Sequence, residues 1–218
     1  MATNHYEETY FGWQKQCGKF GAFANRVFYE KNIKETDVVL DFGCGGGYLL
    51  SALTCQKRIG VEINPGAIVE AEKNGIDVVS SISAIKSESI DVAITFHALE
   101  HCQRPLDELK GIFNSLKKGG MLIAVVPAES ILHEFNPNDQ NHHLYTWSPM
   151  CFGNLCKEAG FKVLESKASY YLWPKNYNRV AKICQLLGKP HWFHKVAEYY
   201  GKRDKKVFQV VAIGMKET

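Results

Sequence analysis

Val38-Val39-Leu40-Asp41-Phe42-Gly43-Cys44-Gly45-Gly46-Gly47 decides the fold of this chain. Three apolar, mostly β-branched residues read as a buried strand. The strand ends on an acid, a glycine cluster follows at once, and Tyr48-Leu49-Leu50-Ser51-Ala52-Leu53 then reads as the start of a helix. Glycine permits positive φ and removes the side chains that would keep a ligand away from the backbone. The helix N-terminus adds free N–H groups. Strand, turn and helix therefore predict a cradle for a small polar ligand at the C-terminal edge of a sheet.

A dinucleotide cradle has the spacing G-x-G-x-x-G and a helix dipole that favours pyrophosphate. Here the spacing is D-x-G-x-G-x-G, with Asp41 two residues before the first glycine. A carboxylate there repels pyrophosphate and suits a ligand with a cationic ammonium and no phosphate. Glu62 ends the next strand, Lys57 to Ile63, where an acid can accept both hydroxyls of a ribose.

Outward from this unit the pattern alternates. A helix is predicted over 66–74 with Gly75 as its stop, a short strand over Asp77–Val79 and another over Ile90–Phe96. An amphipathic helix over 105–117 ends at Lys117-Lys118-Gly119-Gly120, before a strand from Met121 to Val126 closed by Pro127. Ser148-Pro149 opens a helix ended by Gly160, and strands follow over Phe161–Ala168 and Val207–Met215. Strands alternating with helices imply a parallel sheet covered on both faces. The last two strands lack a single-helix crossover, so an antiparallel edge fits.

The 218 residues suit one domain, 45% hydrophobic and 22% charged, with a net charge of +3 too small to argue for nucleic acid. No stretch approaches the roughly 20 apolar residues of a membrane span. The first residues lack the order of a signal peptide. Seven scattered cysteines without a C-x-x-C pair read as reduced, mostly buried thiols of a cytoplasmic protein. Cys44 fits the turn by its small size, with a nucleophilic role the weaker alternative.

The segments VVLDFGCGGG, GVEINP, IDVAITFHALEH, LKKGGMLIAVVP and TWSPMCFGNLCKEAGFKV resemble, in order and approximate spacing, the class I S-adenosylmethionine-dependent methyltransferases, in the branch that modifies small molecules. The resemblance implies an α/β, Rossmann-like, doubly wound seven-stranded sheet with helices on both faces, mostly parallel with an antiparallel last strand. It implies S-adenosylmethionine as cofactor and S-adenosylhomocysteine as product. It places the methionine moiety against Gly43, Cys44 and Gly45, the ammonium near Asp41, the ribose at Glu62 and the adenine on Ile63. An acid often found after the third strand is replaced by Ser80-Ser81-Ile82, so the Ser81 hydroxyl or the Ile82 N–H stands in for it. Phe96 and His97 fall beneath the sulfonium. Trp13 and Gln14 belong to an N-terminal helical arm (1–34) that precedes the core (36–168); they close over the methionine tail, or the arm's aromatics simply pack on the sheet's edge.

The sulfonium is already an activated electrophile, so a base is needed only for an acceptor hydroxyl that must lose its proton. His142 and His143, in the loop after the fifth strand, are the candidate bases. His101 reads as a backbone support. The neighbouring oxygens of Asp139 and Glu134 lack a metal-site spacing, and no metal is expected. Residues 169–206 form an aromatic and basic insertion, including Tyr170, Tyr171, Trp173, Lys182, Lys195 and Arg203. A lid over an anionic or sugar-linked acceptor fits, as does a homodimer contact. The plainer reading is a satellite core with a solvated basic face. The expected reaction is methylation of a small-molecule hydroxyl. A silent binding protein is the first alternative, and an NAD-dependent oxidoreductase is disfavoured by Asp41. Amino-group methylation of nucleic acid or protein lacks its N/D-P-P-Y/F run, replaced by Thr95-Phe96-His97-Ala98. Nucleic acid and membrane are not expected partners.

Overall fold

In a computed structural model, residues 18–130, 132–139, 141–204 and 208–217 are described. Strands β1 (Val38–Phe42), β2 (Lys57–Val61), β3 (Asp77–Val79), β4 (Ile90–Phe96), β5 (Leu116–Ala128), β6 (Lys162–Ser169) and β7 (Phe208–Met215) make one seven-stranded sheet, in the order β3-β2-β1-β4-β5-β7-β6. β7 runs antiparallel to both β5 and β6, and the pairs from β3 to β5 are parallel. The helices are α1 (residues 18–25), α2 (Tyr48–Ser51), α3 (Pro65–Lys73), α4 (Pro105–Ser115), α5 (Pro149–Glu158), α6 (Tyr177–Leu186) and α7 (Trp192–Arg203). No helix among the described residues is long and apolar enough to cross a membrane.

Period-two alternation in the strands separates two cores. Leu122, Ala124 and Val126 of β5 pack with Leu109, Ile112 and Phe152 from α4 and α5. Ile123 and Val125 face the other way, with Leu50, Ala71 and Tyr29. The sheet is thus covered on both faces, as the alternating pattern requires.

Two predicted boundaries move. The helix over 105–117 stops at Ser115, because Leu116 already pairs with Ile90 of β4. Gly119 and Gly120 do not cap it. The Gly119 N–H donates to the Lys216 carbonyl (2.8 Å) and Lys216 donates back to Gly120 (2.9 Å), which prolongs the β5–β7 ladder. The helix after the glycine turn is a single turn of four residues.

The insertion holds two helices, α6 and α7. Its Tyr171, Ala181, Phe193 and Ala197 pack against Ala24, Phe20 and Phe23 of α1 as a third small core. Lys182, Lys195 and Arg203 remain exposed. The aromatic residues thus form a small core and these cations an exposed face.

Candidate functional site

Asp41 lies in parallel register with Gly60. Side chains alternate along strands, so Asp41, Gly60 and, two residues on, Glu62 emerge on one face. The Glu62 N–H bonds the Val79 carbonyl (3.0 Å), which carries the extended ladder through that position. Asp41 is buried, and burial first, then the Glu62 charge, push its carboxyl up to about 7. The two strand-end acids thus lie on one face of the sheet, close enough to interact.

The glycine turn differs from its expected form. Gly43 and Cys44 both donate their N–H groups to the Val61 carbonyl (2.9 and 3.1 Å), Gly45 donates to Glu62 Oε2 (2.9 Å), and Gly47 donates to the Cys44 carbonyl (2.9 Å). Four N–H groups of the turn, those of Gly43, Cys44, Gly45 and Gly47, are thus engaged within the chain. The two carboxylates beside it favour a cation over a diphosphate. Gly43 has φ +77, and a Cβ on it would strike the Ala98 side chain. Only glycine lets this turn lie directly against the segment after β4.

Glu62 is also more committed than expected. Its Oε1 accepts from the N–H groups of Ile63 (2.8 Å) and Asn64 (2.9 Å), besides the Gly45 bond on Oε2. A carboxylate offers about four acceptor positions, so one ribose hydroxyl fits without rearrangement and a second displaces a backbone N–H. Ile63, 71% exposed, offers an apolar surface beside it. The Ser81 hydroxyl is already the cap of the short turn Ile82–Ala84, accepting from the Ser83 N–H (3.2 Å) and pairing with the Ser83 hydroxyl (2.8 Å). The Ile82 side chain is buried in the core. Cys44 turns its sulfur toward Gly60, where a Cβ would collide with it. Burial first, then the Asp41 and Glu62 charges, raise its thiol far above the usual range, which disfavours the thiolate that a nucleophile needs.

At the end of β4, the half-buried rings of Phe96 and His97 stack at 4.4 Å. His97 Nε2 lies 3.1 Å from Gln209 Oε1, and burial pushes its pKa down to about 4, so the ring is neutral and donates to the amide oxygen. Beyond it, Leu99–His101 forms a short turn that buries Glu100 completely. Burial first, then the Glu129 charge, push Glu100 up to about 8, against its own backbone N–H.

The two loop histidines part company. His142 is exposed at φ +50, and its N–H donates to Asp139 Oδ2 (2.8 Å). His143 turns inward: its Nδ1 meets Glu129 Oε1 at 2.9 Å, its Nε2 lies 4.0 Å from Glu100 Oε1, and its ring is 5.0 Å from that of His101. Of the two candidate bases, the structure brings only His143 to the strand-end face. The acids beside it are Glu100 and Glu129, not the Asp139 and Glu134 suggested by proximity in sequence. Glu100, Glu129 and Gln209 were not singled out in the sequence. Glu100 had one available signal, an acid in an otherwise apolar turn at a strand end. Trp13 and Gln14 lie outside the described residues.

The sequence pattern of the methyltransferase-domain family matches residues 14–166. An uncharacterised protein of Methanocaldococcus jannaschii is 33% identical over 113 residues, 50% of this chain and 44% of that protein. The ubiquinone biosynthesis O-methyltransferase of Ruegeria pomeroyi is 30% identical over 99 residues, 39% of each chain. The chain thus spans less than half the length of these curated relatives. A Thermotoga maritima S-adenosylmethionine-dependent methyltransferase, described as a possible histamine N-methyltransferase, superposes with a TM-score of 0.68 at 18% identity, covering 98% of this chain and 97% of the other. At that identity the likeness establishes the fold.

Proposed function

Because the chain belongs to the methyltransferase-domain family, whose cofactor is S-adenosylmethionine, we propose that it transfers the methyl group of S-adenosylmethionine to a hydroxyl of a small-molecule acceptor. The observation that carries this reading is the consumption of the glycine-turn N–H groups by Val61 and Glu62. A turn with most of its glycine N–H groups engaged and two carboxylates, Asp41 and Glu62, beside it suits a cationic amino-acid nucleoside and disfavours NAD. Asp41 meets the ammonium, Glu62 a ribose hydroxyl and Ile63 the adenine.

The chemistry asks little of the protein beyond alignment and exclusion of water. The acceptor oxygen forms the new C–O bond as the C–S bond breaks. The electron pair returns to sulfur, and neutral S-adenosylhomocysteine remains. The hydroxyl proton leaves at the acceptor side of the crevice, where His143 stands with Glu100 and His101. The O-methyltransferases among the relatives support oxygen as the acceptor atom.

Calorimetric titration with S-adenosylmethionine, S-adenosylhomocysteine and NAD tests the cofactor half. Both sulfur nucleosides should bind and NAD should not; tighter binding of NAD overturns the reading. Labelled methyl transfer to a panel of hydroxyl and amine acceptors tests the other half. Transfer confined to amines refutes the choice of oxygen, and binding without any transfer favours the silent alternative.

A further inference from the structure

Glu100 and His101 reach the end of β4 from one segment, and His143 reaches it from the loop after β5. We propose that these three side chains hold a divalent cation, with zinc the best match to their chemistry. Glu100 is fully buried, and among the described residues no other residue hydrogen-bonds its carboxyl oxygens; only its own backbone N–H acts on them. Buried carboxylates are costly unless paired, hydrogen-bonded or bound to a metal. His101 Nε2 and His143 Nε2 lie 3.9 and 4.0 Å from Glu100 Oε1. Those separations are too long for hydrogen bonds, but they suit a shared ion.

All three ligand atoms lie within 4.8 Å of one another. A point equidistant from such a triangle is at most about 2.5 Å from each corner, so closure by a few tenths of an ångström reaches the roughly 2.0–2.2 Å of zinc–nitrogen and zinc–oxygen bonds. Glutamate and imidazole are an ordinary zinc set.

The surroundings are arranged for the same task. Glu129 Oε1 holds His143 Nδ1 at 2.9 Å, which fixes the tautomer and turns Nε2 toward Glu100. Metal-bound histidines commonly have such an outer carboxylate. The loop is tied down by backbone contacts: the Leu144 N–H donates to the Glu100 carbonyl (2.9 Å), and the Tyr145 hydroxyl donates to the Gln103 carbonyl (3.1 Å). The position of His143 is thereby tied to the same turn that carries Glu100.

Three protein ligands leave coordination open for a further oxygen. The role of the site rests on the methyl-transfer reading, whereas its existence does not. In that role the cation coordinates the acceptor hydroxyl and lowers its pKa, and His143 serves as ligand rather than base. The substrate class narrows to molecules whose hydroxyl can coordinate a metal.

Metal-stripped full chain is titrated with Zn²⁺ by calorimetry and with Co²⁺ by visible absorption, and each sample is then titrated with S-adenosylmethionine. One equivalent should bind, with a cobalt spectrum free of sulfur charge transfer. Glu100→Gln and His143→Gln should each weaken zinc binding at least tenfold, and Glu129→Gln about tenfold. Both histidine and glutamate variants should keep their affinity for S-adenosylmethionine, and Asp41→Asn should lose that affinity while still binding zinc. Failure of the wild-type chain to take up one equivalent overturns the proposal. So does zinc affinity unchanged from the wild type in Glu100→Gln and His143→Gln, or a thiolate band in the cobalt spectrum. Lost binding of S-adenosylmethionine by the wild-type chain, with zinc binding intact, instead refutes the cofactor reading alone. His143→Gln changes a loop residue and keeps the test decisive if Glu100→Gln folds poorly.

Discussion

Gly45 gives its backbone N–H to Glu62 Oε2 at 2.9 Å, so the glycine turn after β1 and the end of β2 are fastened through the acid expected to hold the ligand. The same carboxylate accepts the N–H groups of Ile63 and Asn64. Glu62 therefore fixes the shape of the turn between β2 and α3 as well as that of the glycine turn.

Glu62→Ala removes the partner of three backbone donors together with the ribose acceptor. We expect a loss of about 1–3 kcal/mol in stability and at least a tenfold loss in S-adenosylmethionine affinity. Glu62→Gln keeps an acceptor oxygen and should lie between. Urea unfolding and calorimetry measure the two effects. An Ala variant with wild-type affinity would remove Glu62 from the cofactor site.

Asp41 carries the pH dependence. Its carboxyl titrates at about 7 in the folded chain against an ordinary value of 3.8. Between those values the folded chain holds a proton that the unfolded chain has released. The contribution of Asp41 to stability therefore falls as pH rises through that window. A ligand ammonium favours the ionised carboxylate, so S-adenosylmethionine affinity should rise from pH 5.5 to 8 and flatten above about pH 7. Asp41→Asn should weaken binding at pH 8 at least tenfold and abolish that slope. Calorimetry across pH checks both, and an equal slope in the variant assigns it elsewhere.

The sheet was legible because β1 and β4 are apolar, β-branched-rich runs, Val38-Val39-Leu40 and Ile90 to Thr95, that stop at Asp41-Phe42-Gly43 and at Phe96. Ser148-Pro149 was equally plain: Ser148 accepts the Cys151 N–H (3.1 Å), with Pro149 at the first helical position. α7 escaped notice because two of its buried positions are Ala197 and Gly201, which give no apolar period. The turn residues Asp41, Gly43 and Glu62 were readable from local spacing. The pairing of His143 with Glu100 was not, since it depends on how a long loop folds back over β4. The engagement of the glycine-turn N–H groups was also hidden, because Val61, their main acceptor, sits on a neighbouring strand.

Gly43→Ala tests the contact between the turn and the segment after β4. A side chain at φ +77 is strained, and its Cβ meets the Ala98 side chain. We expect a loss of about 1–3 kcal/mol and weaker S-adenosylmethionine binding, because the turn must back away from Ala98. Ala98→Gly in the same chain should relieve the collision while leaving the strain, and so restore part of the stability. If the double variant is no more stable than the single one, the close approach does not govern the turn.

Tyr171 ties the insertion to α1. Its buried hydroxyl donates to the Ala24 carbonyl at 2.6 Å and lies 2.9 Å from His194 Nδ1. The hydroxyl has one proton and gives it to the carbonyl, so His194 must donate its Nδ1–H to the tyrosine oxygen. Burial lowers the His194 pKa, which keeps the ring in this neutral, donating form. Tyr171→Phe leaves the Ala24 carbonyl and the His194 N–H without their partner at almost unchanged volume. The expected loss is about 1–3 kcal/mol, with hydrogen-exchange protection falling in α6, α7 and residues 18–25. Affinity for S-adenosylmethionine should hold, because none of these hydrogen bonds involves Asp41, Glu62 or a hydrogen-bond partner of Glu62. Unchanged protection in the insertion would mean that its aromatic core, Phe20 against Phe193 at 5.3 Å and Trp173 at 4.9 Å, holds it without the hydroxyl.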